Sequence, residues 1–231
     1  MESGQEDRVA TRNAISKSLP HLPVGMAVGF IAVVATTSVL AGPGCQAFTR
    51  TATAGFWYED VSFALPADAT TQLGGPLEQQ EIESIKHLSR IELERAFSGL
   101  RITVTKSQDA FWRVEVLQTL QSRSPLPIAG RSFALGPLGG VGAVGFVILA
   151  LNGIQYAPSG ASRQSMIEGI VRGIGRAAVH EFTHQILGAA AMHNAVDENS
   201  YEYQSSDRAS QYYGELHWST AWTLLQQKFG K

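Results

Sequence analysis

SMIEGIVRGIGRAAVHEFTHQILGAAAMHN, residues 165–194, is the stretch from which the rest of the chain is read. Ile167, Ile170, Val171, Ile174, Ala178 and Phe182 recur at spacings of three, four and seven, which lines one face of an α-helix and turns it toward a core. Ser165-Met166-Ile167-Glu168 has the form of a capping box, so the helix is expected to open there and to run to Leu187, just before Gly188. Gly169 and Gly173 lower helix propensity, which implies that another backbone packs closely against them. Inside this helix stands His180-Glu181-Phe182-Thr183-His184. Residues four apart share a helix face, so both imidazoles reach one cation, while Glu181 is rotated by about 100° and aims at a metal-bound water instead. Imidazoles ligate when neutral, and zinc brings its bound water to a pKa of about 7, where a glutamate can take the proton. His180 and His184 are therefore expected to be metal ligands, Zn2+ the metal and Glu181 the general base. The plainer alternative is two histidines satisfied by hydrogen bonds in a core, although a chance HExxH in a chain of this length is on the order of one in a hundred.

This helix resembles the shared signature of the zincin metallopeptidases. The order leading up to it is a helix, a small mixed sheet, an apolar strand and then the metal helix. Over roughly residues 77–193 that order is similar to the N-terminal half of a compact metzincin. Metzincins continue HExxHxxGxxH, where a glycine turn delivers a third histidine. Here the glycine falls one place late, at Gly188, and the next histidine is His193, so the resemblance is to the general zincin motif and to an architecture. His193 leads as third ligand, because a chain reversing at Gly188 would bring it back over the metal. Asp197, Glu198, Glu202 and His217 are the alternatives. Asp207 either orients a ligand imidazole or pairs with its neighbour Arg208. Tyr201, Tyr203, Tyr212 and Tyr213 each carry a hydroxyl suited to stabilising an oxyanion, and nothing in the sequence selects among them.

Elsewhere the patterning is less pronounced. Leu77–Phe97 has helical spacing and stops before Gly99, while Leu100–Thr105 and Phe111–Thr119 alternate as strands and are expected to pair with each other. Ser122–Gly140 reads as a surface connection, Val141–Leu151 as a buried strand or strand pair, and Asn152–Gly160 as a turn. Thr49–Gly75 reads as loops with one edge strand, and Trp218, Trp222, Leu225 and Phe229 mark a last helix. The expected fold class is α+β: a small mixed sheet packed on the HExxH helix, with a C-terminal loop and helix subdomain closing a cleft. An extended peptide would add to the sheet edge near Val141–Leu149.

With 231 residues, 44% of them apolar, the chain can bury a real core. A net charge of −2 supplies no basic footprint, so nucleic acid is not expected as a partner. Arg8, Arg12 and Lys17 precede the uncharged stretch Val24–Ala41, the layout of a signal peptide cleaved after Ala41 or, alternatively, of a membrane anchor. The only cysteine, Cys45, leaves no disulfide to form and no thiolate for the metal. The chain is thus divided into a signal peptide or anchor at 1–41, an irregular segment at 42–76 and a catalytic domain at 77–231. The expectation is an exported zinc metallopeptidase, secreted or periplasmic, acting on a peptide or protein substrate. A non-catalytic, zinc-stabilised exported protein and an amidase of non-peptide amides are the alternatives.

Overall fold

Four parallel strands and one antiparallel strand form a single five-stranded mixed sheet, ordered β2-β1-β3-β5-β4. The computed structural model describes residues 51–121, 128–136, 139–188 and 193–231. The strands are β1 (Ala52–Tyr58), β2 (Ile102–Thr105), β3 (Trp112–Leu117), β4 (Gly130–Ala134) and β5 (Gly140–Gly145). Six helices accompany them among the described residues: α1 (Ala67–Leu73), α2 (Gln79–Ala96), α3 (Phe146–Gln155), α4 (Arg163–Leu187), α5 (Ala209–Tyr213) and α6 (Thr220–Phe229). The class is mixed α/β. The apolar N-terminal stretch expected to direct export lies outside the described residues, and no described helix is long and apolar enough to cross a membrane.

The sheet departs from the sequence reading in three places. First, β1 is no edge strand: it lies between β2 and β3 and pairs in parallel with both, so those two strands never meet. Ala52, Ala54 and Phe56 are buried in the core, so its small and aromatic residues fill an interior position without the alternation of a half-wet strand. Second, Ser122–Gly140 holds β4, which pairs antiparallel with β5; residues 122–127 and 137–138 of that stretch lie outside the described ones. Third, the apolar run Val141–Leu151 is half strand and half helix. Because β5 sits between β3 and β4, the edge expected near Val141–Leu149 is instead β4.

Helix α4, 25 residues long, is the hub of the molecule. It opens at Arg163, earlier than the capping-box reading placed it, because Ser162 is the N-cap and its Oγ accepts from the Ser165 N–H at 3.1 Å. Arg163 then bonds both carboxylate oxygens of Glu81 at 2.7 Å and the carbonyls of Leu73, Gly75 and Pro76, tying the helix start to the turn between α1 and α2. One turn before His180, Arg176 forms a buried ion pair with Glu92 of α2 at 2.8 Å. Gly169 meets another backbone as expected, since a Cβ there would lie 3.2 Å from the Gly153 carbonyl oxygen of α3 as well as striking the Tyr213 hydroxyl; at Gly173 a Cβ would instead strike the ring of Tyr212. At the other end Gln185 reaches β3, where its Oε1 accepts from Arg113 N–H at 3.1 Å and its Nε2 donates to Arg113 O at 2.9 Å. A side chain at Gly140 of β5 would collide with Gln185, so that glycine is required for the helix to lie this close to the sheet. The C-terminal elements join the same unit as the sheet: Trp218 Nε1 donates to Ala96 O at 2.9 Å and Arg101 N–H to Phe229 O at 2.7 Å.

Candidate metal centre and its cleft

The last two turns of α4 carry His180, Glu181 and His184. His180 Nε2 lies 2.9 Å from His184 Nε2, and His193 Nε2 lies 3.1 Å from the same atom. Helical spacing accounts for the first contact. The second depends on the end of the helix, where Gly188 (φ +88°) stops α4 and the chain returns with His193; residues 189–192 lie outside the described ones. The three imidazoles can hold a metal ion, one ligand atom each.

The surrounding hydrogen bonds suit that role. A carbonyl can only accept, so the 2.9 Å contact from His180 Nδ1 to Tyr201 O fixes the proton on Nδ1 and leaves the Nε2 lone pair facing its neighbours. His184 Nε2 carries at most one proton for two imidazole neighbours, whereas a cation would satisfy all three lone pairs together. Burial, reinforced for both rings by the nearby imidazole of His193, pulls the pKa of His180 and of His184 down to about 4. Both rings are therefore neutral at physiological pH, as ligation requires.

Glu181 is only 7% exposed and lines the same cavity. Burial pushes its carboxyl pKa up to about 7, partly opposed by a hydrogen bond from Ser132 of β4. Two residues earlier in β4, Gly130 leaves room for the Glu181 carboxylate, which a Cβ there would displace from this position. The cavity itself measures about 840 Å³ and is bounded by β4, by the ends of α3 and α4, and by the segment from Tyr201 to Gln211.

The remaining candidates fall elsewhere. Asp197 accepts from His217 Nε2 at 2.8 Å, so these two ligand alternatives engage each other. Glu202 is 1% exposed and serves as a helix cap, accepting from Ser219 N–H at 3.0 Å and Ala221 N–H at 2.7 Å at the start of α6. Glu198 is exposed and joins no metal-ligating group among the described residues. Asp207 accepts from Tyr156 Oη at 2.8 Å, and among the described residues it forms no ion pair with Arg208 or with any of the three imidazoles. Of the four tyrosines, Tyr201 and Tyr203 line the cleft and Tyr212 and Tyr213 do not. The Tyr201 carbonyl, Gly130, Ser132 and Tyr156 did not emerge from the sequence. A backbone carbonyl leaves no trace in residue identity, and the other three are common residue types in segments read as loops. No family model matches the chain, and no match is found among curated proteins.

Proposed function

We propose that this chain is a zinc-dependent peptidase of zincin type, with His180, His184 and His193 as the zinc ligands and Glu181 as general base. The observation that carries this reading is the convergence of three imidazole Nε2 atoms beside a buried glutamate at the wall of an open cleft. Zinc held by these residues would supply Lewis acidity toward a carbonyl and acidify a water to near neutrality. Glu181 takes a proton onto its carboxylate and returns it to the leaving nitrogen, a task that its buried position beside the three imidazoles suits. Tyr201 holds the His180 ring through its carbonyl, and Gly130 keeps β4 clear of the glutamate. Strand β4, at the edge of the sheet among the described residues, offers that edge to an extended chain lying along the cleft. With three ligand residues in the group and no fourth among those described, the arrangement favours a catalytic over a closed structural site. Placement outside the cytoplasm follows from the basic and then apolar N-terminus, and finding the intact chain soluble in the cytosol would refute that part.

Glu181→Gln is the decisive variant, because it keeps size and polarity and removes only the base. Zinc content is expected to match wild type while cleavage of a casein or mixed-peptide substrate falls by about 10²–10⁴. A variant that loses its zinc would make Glu181 a ligand, and one that retains full activity would place the chemistry elsewhere.

A further inference from the structure

Beyond the imidazoles, the cleft continues to an end built by the last residues of α3 and the segment from Tyr203 to Gln211. Asp207 is the one carboxylate besides Glu181 among the described lining residues. Its chain neighbour would ordinarily neutralise it, but Arg208 turns inward. Arg208 is 6% exposed, and its guanidinium donates to the carbonyls of Ser200 and Ser205 and to Gln211 Oε1, each at 3.0 Å, and sits 4.6 Å from the centre of the Tyr203 ring. Among the described residues no lysine, arginine or histidine forms an ion pair with Asp207. The carboxylate is nonetheless held in place: Oδ1 accepts from Tyr156 Oη at 2.8 Å and the Asp207 N–H donates to Ser205 Oγ at 3.1 Å. Tyr156 is also the C-cap of α3, whose last turn contains no basic residue, so the negative end of the helix dipole adds to the charge of Asp207. Tyr156 and Tyr203 line the same end with aromatic surface, which suits the stem of a long cationic side chain.

We infer that this end of the cleft is a subsite for a cationic side chain of the substrate, lysine or arginine, accepted by Oδ2 of Asp207, which takes no hydrogen bond among the described residues. The inference rests on the peptidase reading and specifies its substrate. A positioned carboxylate, an unneutralised helix C-terminus and flanking aromatic surface together select positive charge, whereas any one of them on an open surface would select little.

The test uses quenched fluorescent peptides that differ at one position, carrying lysine, arginine, norleucine or glutamate in turn at each residue flanking the scissile bond. At one position wild type is expected to prefer lysine or arginine over norleucine by about tenfold or more in kcat/KM, the order of one charge-assisted hydrogen bond. Asp207→Asn should lose most of that preference while cleaving the norleucine peptide within about twofold of wild type, and Asp207→Lys should turn the preference toward glutamate. A wild type without charge preference, or an Asp207→Asn that cleaves all four peptides equally less well, would overturn the subsite. If no peptide is cleaved, the peptidase reading fails by itself, and the subsite is then judged by equilibrium binding of the same peptides to zinc-loaded Glu181→Gln. Tighter binding of the lysine peptide, lost on adding Asp207→Asn, supports it, and equal or absent binding of lysine and norleucine peptides rejects it.

Discussion

The proton on His180 Nδ1 is committed to the Tyr201 carbonyl, so the ring is oriented before any cation arrives, and the same preparation separates the candidates for third ligand. His193 already contacts His184, whereas Asp197 is engaged with His217. His193→Ala should accordingly weaken zinc binding by at least the 10- to 100-fold typical of losing an orienting partner, and Asp197→Ala should change it little; competition titration against a chelator measures both, and the reverse order would move the ligand to the acid. The two kinds of titrating group here pull stability in opposite directions in the metal-free protein. His180 and His184, lowered from 6.5 to about 4, contribute stability that is present above about pH 6.5 and lost as pH falls through about 4. Glu181, raised from 4.5 to about 7, contributes stability that is present below about pH 4.5 and lost as pH rises through about 7. Glu181→Gln removes only the second effect. In chelator-treated protein, its urea stability relative to wild type should therefore climb steadily between about pH 5 and pH 7.5. A difference that is flat across that range would show that the carboxyl is not buried in a way that holds its proton.

Among the elements, α4 shows how a helix keeps its histidine-bearing end in register. It is clamped at its start by Arg163, in its middle by Arg176 and near its end by Gln185. Arg176 also donates to the carbonyls of Ser210, Gln211 and Gly214, so the ion pair with Glu92 joins α2 and α4 to the segment forming one wall of the cleft. The two side chains are 8% and 6% exposed, and removing one partner would strand the other's charge in the interior. Glu92→Ala is expected to destabilise the fold by about 3–5 kcal/mol in urea unfolding. A midpoint near that of wild type would mean that the carbonyls alone suffice for the guanidinium. The elements also account for what could be read in advance. Helix α2 and the body of α4 were legible because a helix that faces a core on one side carries that face in its spacing. Strand β1 was legible only as an edge strand and β4 not at all, since small residues in a strand with neighbours on both sides give a weak pattern and a short strand with glycine and serine resembles a connection.

Over the whole molecule, a metal that binds the folded chain and not the unfolded one adds to stability by mass action. At free zinc about a hundredfold above its dissociation constant the gain is about 2.7 kcal/mol, which for a chain of this length raises the melting temperature by roughly 5–10 °C. Scanning calorimetry with zinc and with excess chelator measures it, and identical transitions would argue against any site made by folding. The variant His184→Ala should show no such difference. The HExxH spacing and the apolar stripe along 165–187 are local properties, which is why the sequence by itself determined the helix, two of the three imidazoles and the glutamate between them. Contacts between residues far apart in the chain carry no such signature, because they depend on which surfaces meet when the core closes. Only the tertiary structure therefore placed β4 beside Glu181, set the Tyr201 carbonyl against His180 and brought His193 to His184 while diverting Asp197 and Glu202. It also turned Arg208 away from Asp207, because three oxygen acceptors and the Tyr203 ring hold its guanidinium inside the fold even though Nε finds no partner among the described residues.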